Sequence, residues 1–143
     1  MEELEALRKL VEEHNYDAAL VLISEMDEMA KDDKINKVES FLEILLIHLI
    51  KQHAEKRSSN SWDRSIRNSV RGIAKSNKRR SAKGSYLTTP ELKEAIDESF
   101  SGAVSDAADE AFGGAFSAKV LLEMIDSEAI KKEALDKILN YEV

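Results

Sequence analysis

The segment between residues 35 and 56 carries apolar side chains on more than one face of a predicted helix. Its apolar residues recur at helical spacing and are Val38, Phe41, Leu42, Leu45, Leu46, Leu49 and Ile50. A helix that is apolar over most of its circumference has to be surrounded by other elements. We therefore predict that residues 35–56 form a long central helix.

Residues that interrupt helices are rare in the whole chain. The 143 residues include one proline and five glycines, which is too few for a chain of many short strands. We therefore predict an all-α fold, an up-down helical bundle of about four to five main helices plus short C-terminal helices. Because the length is typical of one domain, we expect a single helical domain over residues 1–143.

Apolar spacing places the other helices of this bundle. The predicted helical ranges are about 2–14, 18–31, 35–56 and 62–75, then a fifth helix that opens at 88–90 and is interrupted at Gly113–Gly114, and finally about 118–125 and 128–140. We expect Asp32 and Asp33 to separate the second range from the third. The basic, serine-rich stretch 76–87 is predicted to be a mobile loop.

Capping residues support several of these boundaries. A serine or asparagine within 59–61 can cap the fourth helix, and Thr88 or Thr89 followed by Pro90 is typical of a helix start. The pair Gly113–Gly114 is expected to interrupt the chain before the two short helices.

The charge is distributed unevenly along the chain. The net charge is −7, yet residues 51–83 contain eleven lysines and arginines against two acids, a net of +9. The rest of the chain therefore carries −16. Such a split indicates an acidic partner for the basic segment, which is either another molecule or the acidic remainder of the same chain.

Other features exclude some classes of protein. The chain has no cysteine, which excludes disulfides and thiolate metal sites. Its N-terminus is acidic and amphipathic, unlike a signal peptide, and the apolar stretch 41–50 is too short to span a bilayer. We expect a cytoplasmic protein that does not bind membranes.

The predicted fourth helix has two opposite faces. Its apolar residues recur at four, four and three positions and are Trp62, Ile66, Val70 and Ile73. Basic residues recur with the same period on the other side and are Arg64, Arg67, Arg71, Lys75 and Lys78, followed by Arg79 and Arg80. We interpret the basic side chains as a surface for a partner protein, with nucleic-acid binding by residues 62–80 as the alternative.

His48 lies inside the apolar central helix, where an unpaired imidazole is costly. Glu25, on a predicted antiparallel helix, is the expected partner, joined by Arg57 or Arg64 through a carboxylate. The favoured interpretation is a buried polar network that holds the helices in register. The alternative is an unrecognised enzyme that uses Glu25 and His48 for acid–base chemistry.

Patterns typical of metal or cofactor sites are missing from the sequence. No Glu-x-x-His pair occurs, which carboxylate-bundle metal sites require, and three histidines without cysteine serve zinc poorly. Gly113–Gly114 lacks the lysine and the preceding strand of a phosphate-binding loop. We predict no metal and no cofactor.

Three elements in order resemble a known bacterial family. They are Glu25–Met26, then His48-Leu49-Ile50-Lys51, then Ser61, Trp62, Ser65 and Ile66. Over about residues 5–75 the chain resembles the family called domain of unknown function twenty-nine, with Gln52 where that family has tryptophan and Met26 where it has isoleucine. The resemblance implies an up-down helical bundle and no assigned activity.

These observations lead to one functional hypothesis and two alternatives. We expect a non-enzymatic helical module that binds another protein in the bacterial cytoplasm. Nucleic-acid binding by the basic helix is the first alternative, and an enzyme centred on Glu25 and His48 is the second.

Overall fold

The computed structural model describes residues 2–79 and 84–141, and these residues form helices without a β-strand. The helices are α1 (Glu2–Glu12), α2 (Tyr16–Glu55), α3 (Asn60–Asn77), α4 (Thr89–Glu110), α5 (Ala118–Glu123) and α6 (Ser127–Leu139). A short 3-10 turn, Ala111–Gly114, joins α4 to α5. The predicted all-α helical bundle is confirmed. None of the helices in these described residues is both long and apolar enough to cross a membrane.

Helix α2 differs from the prediction. Two helices separated by Asp32 and Asp33 were expected, but one helix of 40 residues runs through both aspartates. Aspartate costs only about 0.7 kcal/mol relative to alanine inside a helix, and residues 16–55 contain neither glycine nor proline. The expected break at Asp32 and Asp33 is therefore wrong.

Contacts divide the chain into two compact units, Met1–Lys34 and Ile35–Val143. The single-domain organisation over residues 1–143 stays a prediction. In the first unit, α1 and the beginning of α2 are joined by three residues. His14 has a φ of 59°, and the amides of His14 and Asn15 donate to the carbonyls of Val11 and Leu10 at 3.1 and 2.8 Å. This is the hydrogen-bond pattern of a Schellman helix end, and it makes the first unit a helical hairpin.

The second unit contains the hydrophobic core, and α2 provides its centre. Six α2 side chains are fully buried there: Val38, Leu42, Leu45, Leu46, Leu49 and Ile50. The predicted inner faces of α3 and α4 are buried against them, namely Ile66, Val70, Ile73, Leu92, Ile96, Phe100 and Val104. Helix α6 packs against both α3 and α4. The predicted central position of residues 35–56 is confirmed within this unit.

Local capping determines where the helices of the second unit begin. Ser59 caps α3 by accepting a 3.1 Å hydrogen bond from the amide of Trp62. Thr88 and Glu91 form a reciprocal capping box at the start of α4, where Pro90 occupies the first turn. The predicted interruption at Gly113 and Gly114 is present, since their φ angles are 66° and 80°.

The predicted loop 76–87 is only partly described, because residues 80–83 lie outside the described residues. Its first two residues continue α3, and the return segment is fastened to the end of that helix. The Asn77 side chain donates to the Leu87 carbonyl at 3.0 Å and accepts from the Leu87 amide at 2.7 Å. The Tyr86 amide donates to the Asn77 carbonyl at 2.8 Å. Asn77 therefore sets the path of the chain from α3 into α4.

Glu43 and Asp106 form a carboxyl pair between α2 and α4. The hydrogen bond with Asp106, then burial and the charge of Asp106, raise the pKa of Glu43 above its ordinary value. The folded state thus holds this proton more tightly than the unfolded state, and the associated stability is lost as the pH rises through the folded-state pKa.

We expect Glu43→Gln to make unfolding less pH-dependent between pH 4 and pH 7. At pH 7 it should add about 0.2–0.5 kcal/mol of stability, a small gain because the pair is exposed and screened by solvent. Urea unfolding at both pH values measures the effect, with Glu39→Gln on the same helix as the control. If the stability of Glu43→Gln depends on pH as that of the wild type does, Glu43 does not have the raised pKa described.

Candidate functional site

The basic side chains of α3 form one exposed row. We call five residues the basic row: Arg64, Arg67, Arg71 and Lys75 share this face of α3, and Lys78 follows the end of the helix at Asn77 in extended conformation. The opposite face of α3 is buried through Ile66, Val70 and Ile73. The predicted amphipathic character of this helix is present. Of the other two predicted residues, Arg79 is half-buried and Arg80 lies outside the described residues.

The basic row has no ion-pair partner among residues 2–79 and 84–141. The cations that form ion pairs there are Lys9, Lys51, His53, Arg57 and Lys131. Arg79 instead places its guanidinium 5.5 Å from the ring centre of Tyr86. Within the described part of the chain, no acidic side chain therefore forms an ion pair with the basic row.

A groove lies between α3 and α6, beside the basic row. Its volume is about 500 Å³, and its lining residues are Ile66, Arg67, Val70, Arg71, Lys137, Asn140 and Tyr141. The buried side chains Ile66 and Val70 form an apolar base. Arg67, Arg71 and Lys137 add three cations, and the described lining contains no carboxylate. The groove combines an apolar base with a cationic border, which suits an anionic ligand that also has an apolar face.

Sequence reasoning missed the α6 wall of this groove. Lys137 lies in the last turn of α6, and Asn140 and Tyr141, three and four residues further along the chain, follow the end of that helix at Leu139. That spacing was visible in the sequence. The proximity of these three residues to Arg67 and Arg71 was not visible there, because it depends on the packing of α6 against α3.

Trp62 lies under two cations, outside the groove. The Lys51 ammonium is 4.7 Å and the Arg57 guanidinium 4.5 Å from its ring centre. Lys51 is buried, and it also pairs with Glu110 at 3.5 Å. Two of the residues that carried the family resemblance, Lys51 and Trp62, are thus in contact and hold the end of α2 against the start of α3.

A polar cluster supports the same junction between α2 and α3. Gln52 donates to the Ser58 hydroxyl at 2.7 Å and to a carboxylate oxygen of Asp63 at 3.2 Å. The Ser58 hydroxyl donates to the same carboxylate oxygen at 2.6 Å. Gln52, which stands where the resembled family has tryptophan, therefore contributes to this turn.

The arrangement expected around His48 is not formed. Glu25 and His48 lie on the single helix α2, so they do not face each other from antiparallel helices. His48 is half-buried, and its Nδ1 lies 2.8 Å from the Ile44 carbonyl oxygen, which can only accept, so Nδ1 donates. Arg57 pairs with Glu55 at 3.0 Å, and Arg64 is exposed. The described hydrogen bonds do not join Glu25, His48, Arg57 and Arg64 into a network.

Residues 2–79 and 84–141 contain no group of three or more histidine and carboxylate side chains arranged to hold a metal ion.

Comparison with known proteins gives one match. A family model described as "Domain of unknown function DUF29" matches residues 2–127. The match extends well beyond the 5–75 range on which the resemblance was based. It includes α3 and the basic row, whereas the groove residues Lys137, Asn140 and Tyr141 lie after its end. No curated protein and no solved structure matches the chain.

Proposed function

Because the chain belongs to the family described as domain of unknown function DUF29, which assigns no activity, we propose a function from the geometry alone. The protein is a non-enzymatic module of the bacterial cytoplasm that binds another protein. The groove between α3 and α6 takes an acidic, amphipathic helical segment of that partner. The observation that carries this proposal is the convergence of Arg67, Arg71 and Lys137 around the buried side chains Ile66 and Val70.

The chemistry of the groove matches such a segment. An amphipathic helix presents apolar side chains every three or four residues, and these can cover Ile66 and Val70. Carboxylates beside that stripe then meet Arg67 and Arg71, which can bind a carboxylate through two parallel hydrogen bonds. The attraction between these charges is stronger in the groove than on the open helix surface, because the apolar base excludes water.

A labelled helical peptide tests this proposal. We expect a 16-residue peptide of Glu, Leu and Ala with one leucine stripe to bind, as measured by fluorescence anisotropy at 50 mM NaCl. Arg67→Glu combined with Arg71→Glu should weaken the affinity at least about tenfold, because both reversals place carboxylates opposite those of the peptide.

The basic row supplies a matched control. Arg64→Glu combined with Lys75→Glu makes the same change of charge on the same helix, outside the groove lining. This variant should bind the peptide within about threefold of the wild type. Equal losses in the two double variants, or equal binding of a peptide with the leucines scrambled, would contradict the groove as the binding site.

Nucleic-acid binding is the second candidate function, favoured by the length of the unpaired basic row. From Arg64 to Lys75 the row extends about 17 Å along α3, and Lys78 follows the end of the helix, so the row is long enough to meet several phosphates. Binding of this kind should fall steeply with salt, and it should be reduced as much by Arg64→Glu/Lys75→Glu as by Arg67→Glu/Arg71→Glu. Anisotropy with a 20-base-pair DNA duplex and a 20-nucleotide RNA between 50 and 300 mM NaCl measures it. Salt-independent binding, or none, excludes this candidate.

A further inference from the structure

The hairpin formed by α1 and the start of α2 has an exposed apolar flank. We define the apolar flank as five residues, between 46% and 62% exposed, and they are Leu4, Val11, Tyr16, Leu20 and Ile23. Leu4 and Val11 are seven residues apart on α1, and Tyr16, Leu20 and Ile23 are four and three apart on α2. Each set therefore occupies one face of its helix.

Helical geometry puts both sets on the same side of the hairpin. The more buried residues mark the faces that pack together, and they are Leu7 and Leu10 on α1 and Ala19, Leu22 and Met26 on α2. At about 100° per residue, each exposed set is rotated by roughly 80–100° from its packing face, in the same sense on both helices. Between antiparallel helices, the same sense of rotation brings the two sets to one side. The apolar flank is therefore continuous.

This hairpin is too small to form a core of its own. Ala19 is the only buried residue among residues 2–34. Isolated units below about 40 residues rarely fold without disulfides, metals or association, and the chain has no cysteine. The apolar flank thus has the properties of a surface that is covered by another molecule.

The charge of the hairpin indicates what covers it. Residues 1–34 contain eleven acids against four bases, a net of −7. Two such units would repel each other, whereas residues 51–83 carry +9. Asp27 continues the row of Tyr16, Leu20 and Ile23 by one further turn, and Glu12 follows Val11 at the edge of the flank. An apolar strip bordered by carboxylates is the complement of the groove between α3 and α6.

We infer that the segment bound in this groove is the hairpin of residues 2–34 from a second copy of the chain. The inference rests on the proposed function, since it names the partner of the same groove. Each copy has one hairpin and one groove, so reciprocal docking makes two identical contacts and closes a two-fold symmetric dimer. Leu20 and Ile23 then lie on Ile66 and Val70, while the acids of the hairpin face Arg67, Arg71 and Lys137.

The oligomeric state of the full chain tests this inference. We expect light scattering at 50 mM NaCl to give a dimer, twice the chain mass of 16.1 kDa, that dissociates toward monomers at 500 mM NaCl. Leu20→Glu/Ile23→Glu and, separately, Arg67→Glu/Arg71→Glu should raise the dimer dissociation constant at least about tenfold. Both pairs of side chains are exposed or line the groove, so circular dichroism should show unchanged helix content. Arg64→Glu/Lys75→Glu should remain dimeric.

Charge exchange between copies makes the test specific. Glu12→Lys/Asp27→Lys and Arg67→Glu/Arg71→Glu should each be monomeric alone, and their equimolar mixture should form a heterodimer. A wild-type monomer up to 500 μM, or a dimer that survives both sets of substitutions, overturns the inference. If the wild type is a monomer and the Glu-Leu peptide still binds, the proposed function stands and this inference fails. If the dimer forms as expected while the peptide does not bind, the inference holds, and the general preference for acidic helices fails.

Discussion

Asn77→Ala should lower the free energy of unfolding by about 2–3 kcal/mol. Asn77 is only 8% exposed, and its side chain makes two hydrogen bonds to the backbone of Leu87. Without it the buried Leu87 amide has no described partner, whereas the Leu87 carbonyl keeps its 2.6 Å hydrogen bond from the Ser85 hydroxyl. The expected cost is therefore one unpaired buried donor plus one lost hydrogen bond.

Urea unfolding measures this cost, and the same helix provides the control. Asn68 is exposed on α3, so Asn68→Ala should change the stability by less than about 0.5 kcal/mol. Asn77→Ala/Ser85→Ala should cost more than Asn77→Ala alone, because both donors to the Leu87 carbonyl are then missing. Similar stabilities for Asn77→Ala and Asn68→Ala would show that the return from α3 to α4 does not depend on this side chain.

The free energy of unfolding of Gly72→Ala should be about 1–3 kcal/mol lower than that of Gly102→Ala. A Cβ at Gly72 would lie 2.6 Å from ring atoms of Phe41, whereas a Cβ at Gly102 has no atom within 4 Å. Both residues are inside helices, α3 and α4, so both gain the same helix propensity of about 1 kcal/mol from alanine. The difference between the two variants therefore isolates the close approach of α3 to α2.

Thermal and urea unfolding of both variants give this difference, and a second substitution identifies its cause. Gly102→Ala alone should be slightly stabilising. Phe41→Leu should relieve most of the defect of Gly72→Ala, because a smaller side chain leaves room for the new methyl group. If Phe41→Leu lowers the stability of Gly72→Ala as much as it lowers that of the wild type, the side chain of Phe41 is not what opposes a methyl group at Gly72.

Local features of the sequence predicted most of the helices correctly. Ser59 and Thr88 were identified as candidate caps because capping requires only residues a few positions apart. The burial of Leu92, Ile96, Phe100 and Val104 followed from their spacing in the same way. The break at Asp32–Asp33 was wrong because two aspartates lower helix propensity without preventing the hydrogen bonds of the helix.

Part of the candidate site depends on residues close together in the sequence, and part depends on residues that are far apart in it. Most of the basic row was predictable, since Arg64, Arg67, Arg71 and Lys75 lie on one helix and are related by helical spacing alone, whereas Lys78 lies beyond the helix end. The groove was not, because Lys137 and Tyr141 are about 70 residues from Arg67 and Arg71 in the sequence. The expected pairing of Glu25 with His48 depended on a turn that α2 does not make.

Short-range patterns in the sequence thus determined the fold class, the helix starts and the charged face of α3, because propensity, capping and periodicity act over one or two turns. Only the tertiary structure decided that α6 lies beside α3, that Lys51 and Arg57 contact Trp62, and that the apolar flank of the hairpin is exposed. These features depend on which surfaces pack together. That packing is set by the summed burial of many side chains rather than by any single motif.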